Sequence, residues 1–396
     1  MQHLYRASLV TILFLLFLVN TGSAQDDPEP VCGDGVIDSS EGSFEECDGA
    51  ALGEATCTSL GFSSGTLTCD AFCQFATQAC EGGPSVYVVS TRKNLVSVIN
   101  TAINTVTAKI RVGKRPRGIA ISPNGALAYV TNFGSNNVSV ISTATNTVIG
   151  KIRVGKKPQG VAFTPDGTRA YVVNSRSNTI SVIDVANQFG GAILVGADLN
   201  GFNSLNGPSE IPVGQEPQEI AITPDGLHAY VTNFADDTIS VLNLTTNTVA
   251  TILTVGDGPN GVTVTPDGTK VIVTNFNGRS ISSIDTSTHT VTGPIEVGLL
   301  PAKVAFSPDG ATTFLTNFQD ETVSVIQTSD LQTKKFYDVG DNPNGIAVTA
   351  EGKRLYVALF GRSGRGRVVG VFSATTGADL AFIRVGRGPI AIAVTP

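Results

Sequence analysis

The sequence predicts an all-β protein: a closed seven-bladed β-propeller of four-stranded blades, preceded by a small disulfide-rich module. Three observations predict it. From Ser85 onward two sequence markers recur seven times each at near-constant spacing, every copy holds four short runs rich in Val, Ile and Thr, and all six cysteines fall between Cys32 and Cys80, outside the repeats. Repeats of about 40–45 residues with four strands each have the size of propeller blades. The composition agrees, because 41% hydrophobic and 15% charged residues describe a folded chain rather than a disordered one.

The first element, residues 1–24, reads as a secretory signal. His3 and Arg6 stand in a basic, acid-free start, Ala7–Val19 is an apolar run, and Thr21–Ala24 offers small residues for cleavage. The run is too short to span a bilayer, which takes about 20 residues. The expectation is an exported protein, extracellular, at the cell surface or in the periplasm, with no transmembrane segment after signal removal.

Gln25–Pro84 follows, with Cys32, Cys47, Cys57, Cys69, Cys73 and Cys80, twelve Asp/Glu and no Lys or Arg. An even cysteine count in a short exported segment points to disulfides, since so few residues bury little apolar surface; the pairing stays open. Cys69-x3-Cys73 has spacing that would also suit zinc, although no His lies nearby. Asp34, Asp38, Glu45, Glu46 and Asp48 could hold Ca²⁺ through oxygen or form a solvated acidic face, and their spacing is not that of an EF-hand loop. The stretches Cys32-Gly-Asp-Gly, Glu46-Cys-Asp-Gly49, Cys57-Thr-Ser-Leu-Gly-Phe62 and Gly65-Thr-Leu-Thr-Cys-Asp70 resemble the Cys-rich repeats of myxobacterial and related surface proteins. That resemblance implies a cell-surface setting and brings no chemistry with it.

The repeats occupy residues 85–396. The last position of the Tyr-Val-Thr-Asn element recurs as Ser90, Asn132, Asn174, Asn233, Asn275, Asn317 and Leu359, and a Val-Gly pair leads to Pro116, Pro158, Pro217, Pro259, Pro301, Pro343 and Pro389. In the fifth copy, Gly261–Thr265 reads as a strand that ends in Pro266-Asp-Gly268, where Pro presets φ, Asp bonds its own backbone and Gly accepts the left-handed corner. Val271–Asn275, Ile281–Asp285 and Val291–Val297 supply the other three strands. The repeats open at a second-strand element, Val86–Val89, and the sequence stops at a first-strand element, Ile390–Thr395. Pairing these two closes the ring and removes both exposed sheet edges. The copies resemble the YVTN family of β-propellers of bacterial periplasmic and archaeal surface-layer proteins. They depart from it at Tyr171-Val-Val-Asn and Tyr356-Val-Ala-Leu, and the third copy carries 17 extra residues around Gly190–Gly207, between its third and fourth strands.

Blade geometry sorts the loops onto two faces. Fourth-to-first and second-to-third connections share one face, and the Pro-Asp-Gly turns lie on the other, so Asp166, Asp225, Asp267 and Asp309 read as turn formers. Charge is uneven around the ring: residues 85–165 hold eleven Lys/Arg and no Asp or Glu, residues 166–350 carry a net −12, and residues 351–396 a net +5. Closure merges the two basic stretches into a crescent of Arg92, Lys93, Lys114, Arg115, Arg117, Lys156, Lys157, Arg362, Arg365, Arg367 and Arg387. Glu216, Asp236, Asp237, Asp257, Asp320, Glu321 and Asp341 stand across the ring. Such a sector concentrates anionic partners.

Three readings compete for the crescent: an acidic polymer such as a surface polysaccharide or nucleic acid, the acidic Cys module of this or a neighbouring chain, and plain solvated charge. The YVTN resemblance makes single-stranded DNA conceivable, but that mode calls for aromatic stacking platforms; Phe133 and Phe360 are the only rings near the basic loops. Catalysis has little to stand on. Beyond residue 24 the histidines are His228 and His289, both on the turn side and on different copies; neither a Ser-His-Asp arrangement nor a histidine metal pair is apparent. The expectation is therefore a non-enzymatic exported binding or assembly scaffold without a cofactor, its partner an acidic polysaccharide or a protein of the cell envelope. The alternative is a lactonase-like hydrolase with a carboxylate/Arg site at the channel mouth.

Overall fold

The computed structural model describes residues 84–185 and 209–396, together with four two-residue strands between Ser64 and Glu81. Those strands form two ribbons, Ser64–Gly65 with Cys80–Glu81 and Thr68–Cys69 with Phe75–Ala76. The signal segment, the disulfide, zinc and calcium readings of the Cys module and the insertion around Gly190–Gly207 lie outside the described residues. Among those that are described, no helix is long and apolar enough to cross a membrane.

Seven four-stranded antiparallel sheets follow one another from Ser85 to Val394. The expected Velcro closure is present: Pro389–Val394 pairs with Ser85–Ser90, so blade 1 takes its inner strand from the end of the sequence and its other three from the beginning of the repeats. The inner strands Pro116–Ile121, Pro158–Phe163, Pro217–Ile222, Pro259–Val264, Pro301–Phe306, Pro343–Val348 and Pro389–Val394 each neighbour the next around the ring, the last returning to the first. In blade 3 the third strand is Thr179–Asp184 and the fourth Ser209–Pro212, which places the insertion between them as its length predicted.

The repeat markers are the pieces that hold the blades together. Second and third strands are buried almost throughout, whereas most outer strands alternate or lie exposed, as expected for a sheet edge facing water. Apolar side chains fill the spaces between adjacent blades, with Tyr87, Tyr129, Tyr171, Tyr230 and Tyr356 among the largest fully buried groups. In four copies the Thr before the marker Asn ties one blade to the next. The hydroxyl groups of Thr131, Thr232, Thr274 and Thr316 accept the N–H of residues 118, 219, 261 and 303 at the inner-strand bulge, and donate to the carbonyls of Gln159, Asn260, Ala302 and Asn344 on the next blade. In the other three copies the position is Val89, Val173 or Ala358, which has no hydroxyl to make that link.

The four Pro-Asp-Gly turns are built as the sequence implies. Asp267 Oδ1 accepts from the Thr265 hydroxyl and from the Thr269 N–H, and Gly268 takes φ 74°. Asp166, Asp225 and Asp309 repeat the arrangement.

Candidate functional site

The fourth-to-first loops and the second-to-third loops meet on one face and are stapled to each other. The N–H of Arg115, on the loop into blade 2, donates to Asn94 Oδ1 of blade 1 (2.8 Å), and the N–H of Lys114 to Ser135 Oγ of blade 2 (2.7 Å). The next loop repeats this with Lys157 on Asn136 and Lys156 on Ser177. These staples hold Arg115 and Lys157 at φ 50° and 57° immediately before a proline. Left-handed backbone at a non-glycine residue costs on the order of 1–2 kcal/mol, so the surrounding loops fix the direction of both side chains.

Three cations of the crescent converge on one ring. Arg115 Cζ lies 5.5 Å, Arg117 Cζ 5.2 Å and Lys157 Nζ 4.8 Å from the centroid of Phe133, the first residue of blade 2's second-to-third loop. The ring quadrupole attracts each of them. Among the described residues none of the three has a carboxylate partner. Arg117 projects from the inner strand at the channel mouth, and its Nε is buried without a hydrogen-bond acceptor. Burial, and then the charge of Arg115, push its guanidinium pKa down, the signature of a cation short of countercharge.

The rest of the crescent is more dispersed. Arg92, Lys93, Lys114, Lys156, Arg362, Arg365 and Arg367 are exposed on the same face, and Arg387 is half-buried. Arg92 and Arg387 are tied through the backbone, the Arg92 N–H donating to the Arg387 carbonyl, while Arg362 reaches across to Glu321 at 4.0 Å. Several acidic counterparts are loop formers rather than free charges: Asp236, Asp237 and Asp320 accept the N–H of Gln215, Gly258 and Leu299. A depression of about 540 Å³ beside Leu359 has Arg367 on its wall, but Asp338, Asp341 and Asp379 share that wall, so it is not where positive charge collects.

Two features of this face escape single-residue reading. The position after the marker Asn is Phe in five copies, and Phe133, Phe234, Phe276, Phe318 and Phe360 form a half-buried aromatic arc around the mouth. Successive rings Phe276–Phe318 and Phe318–Phe360 stand 6.5 and 6.1 Å apart. The second is an ion pair at the channel. The third inner-strand residue is Gly118, Gly160, Gly261 or Gly345 in four copies, but Glu219 in blade 4 and Lys303 in blade 6, and these two side chains pair across blade 5. Glu219 is the one carboxylate on any inner strand. Aligning the copies column by column exposes both signals.

On the opposite face His228 and His289 belong to different copies, and blades 4 and 5 bring them side by side, ring centres 6.2 Å apart. The start of one blade's second strand abuts the next blade's outer turn, a proximity invisible in linear order.

Comparison with known proteins agrees with this architecture. A family model described as Lactonase, 7-bladed beta-propeller, matches residues 150–293, well under half of the chain. No curated protein matches the sequence. Among solved structures, a functionally unknown protein from Desulfotomaculum acetoxidans superposes with a TM-score of 0.66 at 18% identity, over 78% of this chain and 98% of that one. Hydrazine synthase of Kuenenia stuttgartiensis gives 0.58 at 22% identity, over 70% and 88%. The dihydro-heme d1 dehydrogenase NirN, in complex with DHE, gives 0.56 at 13% identity, over 78% and 74%. At these identities the likeness is one of fold, and it makes the chain a seven-bladed β-propeller similar in part to the lactonase-type propellers.

Proposed function

We propose that the protein is an exported, non-enzymatic binding scaffold whose loop face captures an anionic partner of the cell envelope, an acidic polysaccharide or an acidic protein surface. The observation that carries this reading is the convergence of Arg115, Arg117 and Lys157 on Phe133 with no carboxylate partner among the described residues. Unpaired, partly desolvated cations hold an anion more strongly than solvated ones do. The exposed remainder of the crescent adds long-range attraction that salt screens. What favours binding over lactone hydrolysis is the channel mouth, where the sole inner-strand carboxylate is already engaged by Lys303.

Retention of the signal-free protein on immobilised heparin across a salt gradient tests this. The comparison variant carries Lys114→Gln, Arg115→Glu, Lys156→Gln and Lys157→Glu, which copy Gln215 and Glu216 of the loop into blade 4, where Glu216 holds φ 47°. Salt-sensitive retention of the wild type, lost in the variant, is the expected result. Equal elution of both at low salt would sink the proposal.

A further inference from the structure

On the turn side a clasp between neighbouring blades recurs at several junctions, and at one junction its positions are occupied by histidine. The second-strand tyrosine donates its hydroxyl to the Asn at the left-handed corner of the next blade's outer turn: Tyr87 to Asn146 (2.6 Å), Tyr171 to Asn247 (2.8 Å) and Tyr356 to Asn104 (2.8 Å). Two residues earlier on the same strand face, a basic side chain reaches carbonyls of that next blade: Arg169 to Leu244, Lys270 to Thr328 and Ser329, and Arg354 to Thr101. Between blades 4 and 5 the basic position is His228, and the corner position, at φ 56°, is His289. Tyr230 Oη stands 3.4 Å from His289 Nδ1. Beyond residue 24 the sequence has these two histidines and no others, 61 residues apart, and the ring sets them against each other.

We propose that His228 and His289 form a two-histidine site for a borderline divalent transition ion, Cu²⁺ or Zn²⁺, on the turn-side face. The inference is independent of the anion-binding reading of the opposite face. Two imidazoles on one such ion, with metal–nitrogen bonds of about 2.1 Å, hold their ring centres roughly 5–6 Å apart, so the observed 6.2 Å needs only a small side-chain rotation. With Nδ1–H of His289 donated to the Tyr230 oxygen, Nε2 is left as the metal-binding nitrogen, and such a partner on the second nitrogen is what orients a histidine ligand. Both rings are half-buried and reachable from solvent. The flanking carboxylates Asp225 and Asp285 have Oδ1 committed to their own turns. Among the described residues no group of three His, Cys, Asp or Glu is placed to hold an ion, so water fills the remaining coordination positions. Imidazole suits Cu²⁺ and Zn²⁺, with Cu²⁺ the tighter, and hard oxygen-seeking Ca²⁺ is not accommodated. A bound ion would fasten blade 4 to blade 5 at positions that hold Arg, Lys or Asn at the junctions of blades 1 and 2, 3 and 4, 5 and 6, and 7 and 1.

The test is calorimetric titration of the signal-free, otherwise full-length protein with CuCl₂, ZnCl₂ and CaCl₂ at pH 7.5, beside His228→Arg and His289→Asn. Both substitutions copy sister blades at the same positions and leave the metal-free melting temperature close to wild type. The expected result is one Cu²⁺ and Zn²⁺ event that weakens at least tenfold in each variant, is absent with Ca²⁺, and fades at pH 5.5, where protonated imidazole is no ligand. Electron paramagnetic resonance of the Cu²⁺ form should show hyperfine structure from two imidazole nitrogens in the wild type, reduced in either variant. Superimposable titrations for all three proteins, or no event in the wild type, would overturn the proposal.

Discussion

The Cβ that Gly113 lacks would stand 2.5 Å from the Cγ of Asn132. The two markers of the repeat are therefore one device. The buried Asn turns its amide onto third-strand hydroxyl groups, Asn132 Nδ2 donating to Ser139 Oγ at 2.9 Å, and the loop can pass over it only as glycine. The same approach recurs at Gly155 with Asn174, Gly214 with Asn233, Gly256 with Asn275 and Gly298 with Asn317. Blade 7 keeps the glycine but not its partner: Leu359 replaces Asn, and a Cβ on Gly340 would meet nothing within 4 Å.

Gly113→Ala should therefore destabilise the propeller by about 3 kcal/mol, the upper end of the usual overpacking cost, because the clashing atoms include the Asn132 Cβ and not merely a flexible tip. Gly340→Ala meets open space and bears only its left-handed backbone, φ 82°, a cost of about 1 kcal/mol. Urea unfolding of the two variants separates steric from conformational cost; equal losses would refute the pairing of the markers.

Thr274→Val should cost about 1–3 kcal/mol, since it strands the Gly261 N–H and removes the donor to the Ala302 carbonyl at a fully buried junction between blades 5 and 6. Thr274→Ser keeps the oxygen and should recover most of the loss. If Val and Ser variants unfold at the same urea concentration, the hydroxyl link is not what joins the blades.

Blade number, strand order, ring closure and the site of the insertion were all legible in the sequence because they follow from marker spacing, which backbone pairing then obeys. The crescent's place on one face was legible for the same reason. Which of its members act together was not. Arg115, Arg117 and Lys157 lie on two different blade entrances, and only the ring's curvature brings them to Phe133. His228 and His289 escaped in the same way, as did Glu219 and Lys303, each pair separated by a whole blade of sequence or more. Contacts between blades carry no short-range signature; they emerge only when copies are compared at equivalent positions.

Acid should loosen the turn face. Hydrogen bonds from Thr or Ser hydroxyls, then from backbone N–H groups, hold the carboxyls of Asp166, Asp225, Asp267 and Asp309 below their ordinary value of 3.8. Each favours the folded state fully above the ordinary carboxylate range and loses that contribution as pH falls through its depressed native value. Stability should thus decline with falling pH below about 4. A variant with Asn at all four positions, as Asn124 already stands in blade 2 with equivalent bonds, should show a smaller drop in urea midpoint between pH 7 and pH 3. An unchanged drop would place the acid sensitivity elsewhere.

The Glu219–Lys303 pair should couple blade 4 to blade 6 and set the charge of the channel mouth. Both side chains are roughly three-quarters buried, with 21% and 25% of their surfaces exposed, so removing one partner leaves the other short of water and of countercharge. In a double-mutant cycle with Glu219→Gln and Lys303→Met, the two single losses of stability should sum to more than the loss of the double variant, with a coupling of about 1 kcal/mol. The same variants bear on anion capture. Glu219→Gln frees a lysine on an inner strand of the same ring, and should raise the salt concentration needed to elute the protein from heparin. Lys303→Met exposes an unpaired carboxylate there and should lower it. Opposite shifts of these two, at matched folding, would tie the channel mouth to the loop-face site; shifts of the same sign would separate them, and the crescent would then act through its rim alone.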